Sequence, residues 1–308
     1  MNNPFKDQYY YTIGSYLKNR FGCRVIKLSL DTGFTCPNRD GTKGVGGCIF
    51  CSADGSGDFA SDIPGQIKLL SKKWPTGKYI VYFQSFTNTY APIEILRREY
   101  YNALSYPDVV GIAIATRPDC LSEEILELLT ELNEQTFLWV ELGLQTIHDE
   151  TAEFINRCYA LPVFDQAMED LSSRHIKTVV HLMLGLPYET REMMFESIDY
   201  VCHKNPFGLK FHLLNVLKGT KLAELYHQGL PLYVPEKEEY INLVVDILEN
   251  VPRDITIHRV TADAPRHLLI APAWGFEKRS ILNGINKEFR RRNSYQGIKH
   301  YSPNLPSL

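Results

Sequence analysis

No histidine precedes residue 148 in this 308-residue chain, and all nine lie there or later. A metal site built locally in the first half must therefore draw on thiolate or carboxylate rather than imidazole. Long apolar runs are missing as well. No stretch approaches the roughly 20 residues that a membrane-spanning helix needs, and MNNPFKDQYYYTIGSYLKNRF at the N-terminus has no apolar heart of a secretion signal. A cytoplasmic protein without membrane attachment is expected. Strong charge is also absent: the net value is −3, which excludes a chain-wide field that would draw in nucleic acid. No Pro- or Ser-rich linker and no low-complexity tract interrupts the chain, so one catalytic domain with appended ends is the economical organisation.

What is there begins with order. VIKLSLD (25–31), KYIVYFQ (78–84), VVGIAIAT (109–116), FLWVELGL (137–144), TVVHLML (178–184), GLKFHLLN (208–215) and ITIHRVT (255–261) are short β-prone runs. Helical patterns alternate with them, from PIEILRREYYNALS to EKEEYINLVVDILEN. Strands buried on both faces and separated by helices predict parallel βα units, an α/β fold closing into a partial (β/α)6 TIM-like barrel. Residues 1–22 are expected as an N-terminal helix, 23–265 as the barrel, and 266–308 as a basic C-terminal extension packed on it.

Chemistry in such a barrel gathers at the C-terminal ends of the strands. The loop after the first strand, FTCPNRDGTKGVGGCIFCSADGSG (34–57), holds Cys36, Cys48 and Cys51 among turn-forming residues. Cys48 and Cys51 have the Cys-x-x-Cys spacing that lets two thiolates reach one metal centre. Cys36 lies upstream of Cys48 with eleven residues intervening, a separation that adds only about 1 kcal/mol of closure entropy over a three-residue gap. Seven cysteines in all, an odd number, suit a reducing compartment. A zinc site completed by Cys23 or a distant histidine stays open at this point, as does a redox pair. Iron and sulfur fit better, because three cysteines on a four-iron cluster leave one iron open to an exogenous ligand.

Phe50, immediately before Cys51, sharpens the pattern. Three cysteines ending in Cys-x-aromatic-Cys at the top of the first strand resemble the radical S-adenosylmethionine (SAM) superfamily. The resemblance implies that Cys36, Cys48 and Cys51 ligate a [4Fe-4S] cluster, that SAM binds its open iron, and that Phe50 lies near the adenine. The long gap between the first two cysteines resembles the elongator catalytic-subunit branch and its bacterial YhcC/YtqA-type relatives. Further segments match in order. FQSFTNTYAP, with Gln84, Ser85 and Thr87, occupies the place of the stretch that holds the SAM amino group. GLQTIHDETAEFINR supplies Gln145 and Arg157 as SAM contacts, and MLGLP places Gly185 beside adenine. ATRPD and HRVTADAP are similar to elongator-type elements. Two positions depart from the family pattern: Ala115-Thr116 where relatives often carry an acid, and His181 where the fifth strand often begins with Asp.

The resemblance implies reductive cleavage of SAM to a 5′-deoxyadenosyl radical, with the electron from an external donor such as flavodoxin or ferredoxin. It also implies tRNA as partner, with trimming of a wobble-uridine carboxymethylaminomethyl group to aminomethyl. Ending at 308, the chain is expected to lack the acetyltransferase domain of the elongator enzymes. A small-molecule or protein substrate, or a non-catalytic zinc-stabilised nucleic-acid-binding barrel, are the alternatives. Between Glu277 and His300, seven Lys or Arg face two Glu, a local charge of +5. Lys278, Arg279, Arg290, Arg291 and Arg292 are the candidate phosphate contacts, with Trp274, Phe276 and Tyr295 as candidate base-stacking partners. His258 and Arg259 either face the barrel mouth or satisfy buried groups.

Overall fold

All seven β-prone runs become parallel strands of one open barrel in the computed structural model, which describes residues 3–5, 8–53, 55, 57, 59–262 and 264–300. Across the sheet run β1 (Val25–Leu30), β2 (Lys78–Phe83), β3 (Val109–Thr116), β4 (Phe137–Gln145), β5 (Lys177–Leu184), β6 (Gly208–Leu213) and β8 (Thr256–Arg259). A short antiparallel ribbon of β7 (Val216–Leu217) and β9 (Leu269–Ala271) stands apart from them. The crossovers carry α2 (Ile63–Ser71), α3 (Ile93–Leu104), α4 (Glu123–Gln135), α6 (Leu161–Ser173), α7 (Arg191–His203) and α9 (Lys237–Asn250), with the short α5 (Asp149–Phe154) and α8 (Lys221–His227) on loops. Among the described residues no helix is long and apolar enough to cross a membrane.

The period of two along each strand sorts side chains between two cores. Leu28, Val81, Ile112, Ile114, Val140, Val180 and Leu209 face outward and pack against the helices. Their neighbours one position away face the barrel interior, where Ile80, Ala113, Phe137, Trp139 and Val179 fill the end at which the strands begin. Leu17 from α1 (Ile13–Phe21) packs into that same apolar group. Tyr16 adds ring contacts with Phe137 and Phe207, so α1 plugs the bottom of the barrel.

The N-terminal helix is shorter than the expected 1–22. Thr12 caps it by accepting from the Ser15 backbone N–H at 3.1 Å, and the residues just before run along the open sheet edge. Ile257 N–H donates to the Tyr11 carbonyl at 2.7 Å and Thr12 bridges Ile257 in parallel. Extended backbone suits consecutive tyrosines, and it gives β8 the partner that an edge strand lacks. Gln296 then ties the two chain ends together: its backbone N–H donates to Tyr9 O, its side-chain oxygen accepts from Tyr11 N–H, and its amide donates to Pro252 and Ile255 carbonyls.

Outside, α10 (Lys278–Arg292) lies parallel to α9. Lys237 at the start of α9 meets Glu277 at 3.0 Å, and Arg292 at the far end meets Asp246 at 2.5 Å. Because α9 descends to the N-terminal end of β8, the start of α10 lies on the mouth side and its end at the bottom. Fifteen residues of helix separate those ends by about 20 Å.

Candidate functional site

The loop after β1 is stitched to its neighbours chiefly by backbone bonds. Thr87 N–H donates to Thr35 O at 3.2 Å, Ile49 N–H to Ile155 O at 3.1 Å, and Leu222 N–H to Ile49 O at 2.8 Å. Loops after β2 and β4 and the start of α8 therefore clamp the cysteine segment. Within it, Cys51 N–H turns back onto Cys48 O at 2.9 Å. Asn38, fully buried, donates to the Asn156 carbonyl and points its amide at Cys48 Sγ, 3.7 Å away. Gly55 is required by contact as well as by its φ of +56°: a Cβ there would run into the Phe86 ring.

A chamber of about 330 Å³ opens below this loop at the C-terminal ends of the strands, and all three thiols line it. Arg117 lies beside them, forked onto Asp119 by two 2.9 Å bonds and donating also to Arg157 O, while Lys43 braces Asp119 from outside. Burial, then the neighbouring Cys51, push the Cys48 thiol up to about 12 against the pull of Arg117. Three thiolates here need a cationic centre to compensate them. Among the described residues no three His, Cys, Asp or Glu side chains are placed to hold one metal ion together. Cys23 sits before β1, at the opposite end of that strand from the other thiols. The donor set thus fits a multinuclear cluster, in which each thiolate takes its own iron, better than a single zinc ion.

On the floor of the chamber, sequence inspection singled out His181 and left Arg259 open, but missed Glu141 and Lys210. Glu141 on β4, fully buried, accepts from His181 Nε2 at 2.7 Å, Lys210 Nζ at 2.7 Å and Trp139 Nε1 at 2.9 Å. Lys210 Nζ also donates to the Tyr82 hydroxyl at 2.8 Å. Register produces this group: His181 pairs with Lys210 across β5 and β6, and Lys210 with Arg259 across β6 and β8. Burial alone would raise the Glu141 carboxyl, but Lys210, Lys27 and His181 outweigh it and hold it well below the usual carboxylate range. Burial lowers the His181 imidazolium to about 4, with Lys210 adding to the effect and Glu141 opposing it. His181 is therefore neutral at pH 7, and since an ionised Glu141 only accepts, Nε2 of His181 carries the proton. The available signal was a charged residue within a strand buried on both faces, FLWVELGL and GLKFHLLN, which is expensive without a partner.

Of the residues singled out from sequence, Cys36, Cys48, Phe50, Cys51, Gln84, Thr87, Gln145, Arg157 and His181 all line the chamber. Gln145 has a left-handed backbone, φ +66°. With its amide nitrogen turned toward the Gly143 and Leu144 carbonyls at 2.9 Å each, its oxygen is left as an acceptor. Arg157 is a clamp, donating to the Leu144, Thr146 and Tyr159 carbonyls, with Nη2 having no hydrogen-bond partner. Ser85 and Gly185 do not line the chamber. Ser85 is fully buried with an unpartnered hydroxyl, and Gly185, at φ +87°, turns the chain against Tyr233. Arg259 reaches the chamber, whereas His258 is packed between Trp139 and Phe207 below it. Asp263 of HRVTADAP lies outside the described residues.

The basic segment divides. Lys278 and Arg279 are exposed on the mouth side. Arg290, Arg291 and Arg292 stand at the bottom, far from the chamber, so the structure does not bring them to the site. Arg292 is held by Asp246, Glu288 and Asn242, Arg291 by Glu288, and Arg290 by the Tyr9 hydroxyl. Tyr295 is buried against Arg253. Trp274 donates to Pro235 O beside Tyr240. Phe276 remains exposed, under Arg266 at 4.6 Å.

A partial parallel barrel with three thiols converging at its mouth defines a class. The chain belongs to the radical SAM superfamily, whose family model matches residues 35–201, followed by a radical SAM C-terminal domain model over 206–291. It is similar to YtqA of Bacillus subtilis, 45% identical over 308 residues and covering 96% of this chain and 95% of that one. YhcC of Escherichia coli K12 is 35% identical, covering 85% and 86%. The tRNA uridine(34) acetyltransferase of Methanocaldococcus jannaschii is 29% identical over 165 residues, 52% of this chain and 30% of its own. Among solved structures, Elp3 of Methanocaldococcus infernus shares the fold with a TM-score of 0.66 at 19% identity, over 88% of this chain and 64% of that one.

Proposed function

We propose that this radical SAM enzyme modifies tRNA at the wobble uridine, trimming a carboxymethylaminomethyl side chain to aminomethyl. The observation that carries the reading is one chamber lined above by Cys36, Cys48 and Cys51 and below by charged and polar groups. Similarity over half the chain to a tRNA uridine(34) acetyltransferase supports the substrate. When bound, a [4Fe-4S] cluster and SAM supply a carbon-centred radical that removes a hydrogen atom from the substrate.

The chain's own residues do the rest. Cys36, Cys48 and Cys51 would hold the cluster, Asn38 directs an N–H at one of its thiolates, and Arg117 offsets their charge. Phe50, Gln84, Thr87 and Gln145 line the space where SAM would lie. Buried Arg157 fixes the chain after β4 and with it Gln145. Lys278 and Arg279 on the mouth side suit phosphates of an RNA whose extruded base enters the chamber.

Anaerobic reconstitution of the full chain with iron and sulfide tests the class, and wobble-nucleoside mass spectrometry tests the substrate. A brown, oxygen-sensitive protein that cleaves SAM on reduction is expected. Deleting the gene should leave carboxymethylaminomethyluridine untrimmed. An unchanged nucleoside profile would end the tRNA reading while leaving the radical chemistry intact.

A further inference from the structure

Two lips of opposite charge flank the mouth of the chamber. One is the segment after β4, where α5 presents Asp149, Glu150 and Glu153, all exposed. The other is the β7–β9 ribbon. Leu217 of β7 and Pro265, ahead of β9, line the chamber, and the residue after each, Lys218 and Arg266, is exposed outside it. Backbone bonds hold these two together: Lys218 N–H donates to Leu268 O at 2.8 Å and Leu269 N–H to Pro265 O at 3.1 Å. Leu222 N–H, donating to Ile49 O, moors the same ribbon to the cysteine loop. Residues 215–223 and 264–276 contain no Asp or Glu. Lys221 is engaged by Glu224 of α8 at 2.8 Å, so Lys218 and Arg266 are the cations that the lip presents.

An aromatic ring completes the lip. Phe276 is 39% exposed, with the Arg266 guanidinium 4.6 Å from its centre. Its neighbour Gly275 is pressed against the chamber wall, where a Cβ would come within 2.8 Å of Asn215 Oδ1. A single exposed ring is ordinary on a protein surface. One that shares a chamber mouth with two cations has the composition of a site for unpaired nucleotides, whose bases stack on aromatic and guanidinium planes while Lys and Arg take the phosphates.

We infer that the β7–β9 ribbon is the surface that holds the RNA as a single strand, with Lys218 and Arg266 on the phosphates flanking the extruded nucleotide and Phe276 stacked on a neighbouring base. The inference rests on the function proposed above and adds the side from which the RNA is held. An extruded nucleotide sends its base into the chamber and keeps both phosphates at the rim. The α5 lip repels them, since three carboxylates face solvent there. The ribbon attracts them, and beyond Phe276 it leads to Lys278 and Arg279, exposed at the start of α10. Glu277, between, is held by Lys237 at 3.0 Å.

The test is fluorescence anisotropy of a labelled anticodon stem-loop with a wobble uridine, titrated with the anaerobically reconstituted full chain from about 50 to 200 mM salt. Lys218→Gln with Arg266→Gln should flatten the slope of log affinity against log salt by about 1.4, or about 0.7 per single-strand phosphate contact. Phe276→Ala should weaken binding by about fivefold to a hundredfold, the range of one lost base stack, with Phe276→Trp restoring it. Glu150→Gln with Glu153→Gln on the other lip should leave the slope where it was. All of these side chains are exposed, so iron content and melting temperature should match the parent and exclude a folding defect. An unchanged slope in the ribbon pair overturns the inference and, because the parent still binds, leaves the tRNA reading standing. Displacement of the stem-loop by poly-aspartate as readily as by poly(U) would assign the ribbon to an acidic protein and overturn the RNA. Ribbon-dependent binding together with an unchanged wobble-nucleoside profile in the deletion strain supports the surface and removes the wobble substrate instead. A parent chain that binds no stem-loop overturns both.

Discussion

The lower and upper halves of the barrel interior are built by the same strands, two residues apart. On β4, Trp139 belongs to the apolar plug and Glu141 to the polar floor, and on β5 Val179 and His181 divide the same way. The lower layer is sealed by α1, whose Leu17 and Tyr16 pack among Phe137, Trp139 and Phe207. The upper layer is left open to the cysteine loop. Position along a strand, rather than the strand itself, separates stability from chemistry in this fold.

Four changes would break or sharpen that contrast. The largest effect belongs to the top of the upper layer: Cys48→Ala should abolish iron incorporation and SAM cleavage, at least about a thousandfold, because the cluster would lose one of its three thiolate anchors. Circular dichroism of the iron-free variant should match that of iron-free parent, since the plug is untouched. Next comes Lys210→Met, which leaves Glu141 buried with only His181 and Trp139. Removing one partner of a buried pair costs about 3–5 kcal/mol, measurable by urea unfolding. Glu141→Gln combined with Lys210→Met should recover most of it and make the floor resemble the plug.

Acid should separate the layers too. Burial lowers His181 to about 4 in the fold from the ordinary 6.5 of an imidazole, so between those values the unfolded chain binds a proton that the folded chain does not. Stability is then fully present above pH 6.5 and falls as pH drops toward 4, by about 3 kcal/mol in all. Denaturant midpoints across that range should show the slope, and His181→Gln should flatten it. The smallest effect is at the two ends of α10. Lys278→Ala with Arg279→Ala should reduce the salt dependence of tRNA binding by up to two phosphate contacts. Arg290→Ala at the bottom should leave both slope and affinity unchanged in filter binding.

The cysteine loop and the strand order were legible because each is local. A thiol spacing, an apolar run and a positive-φ turn are written in neighbouring residues. The centre of the floor was not. Glu141 and Lys210 stand 69 positions apart and meet only through strand register, which also brings Arg259, left open in the sequence, beside Lys210. Charge runs misled for the opposite reason: Arg290, Arg291 and Arg292 adjoin in sequence, yet Arg292 faces α9 and its acids, and Arg290 a tyrosine of the N-terminal segment. A continuous helix through 1–22 was overridden by the open edge of β8, whose Ile257 N–H takes Tyr11 O as its acceptor.

Trp139 stands on the boundary between the two layers, with its ring in the plug and its indole N–H on the Glu141 carboxylate. It is one of three tryptophans, and the other two, Trp74 and Trp274, lie partly exposed on the periphery. With both of those changed to phenylalanine, the emission of a single indole would follow the electric field at the chamber floor. The barrel carries an optical probe of its own occupancy, read without label, radioactivity or turnover.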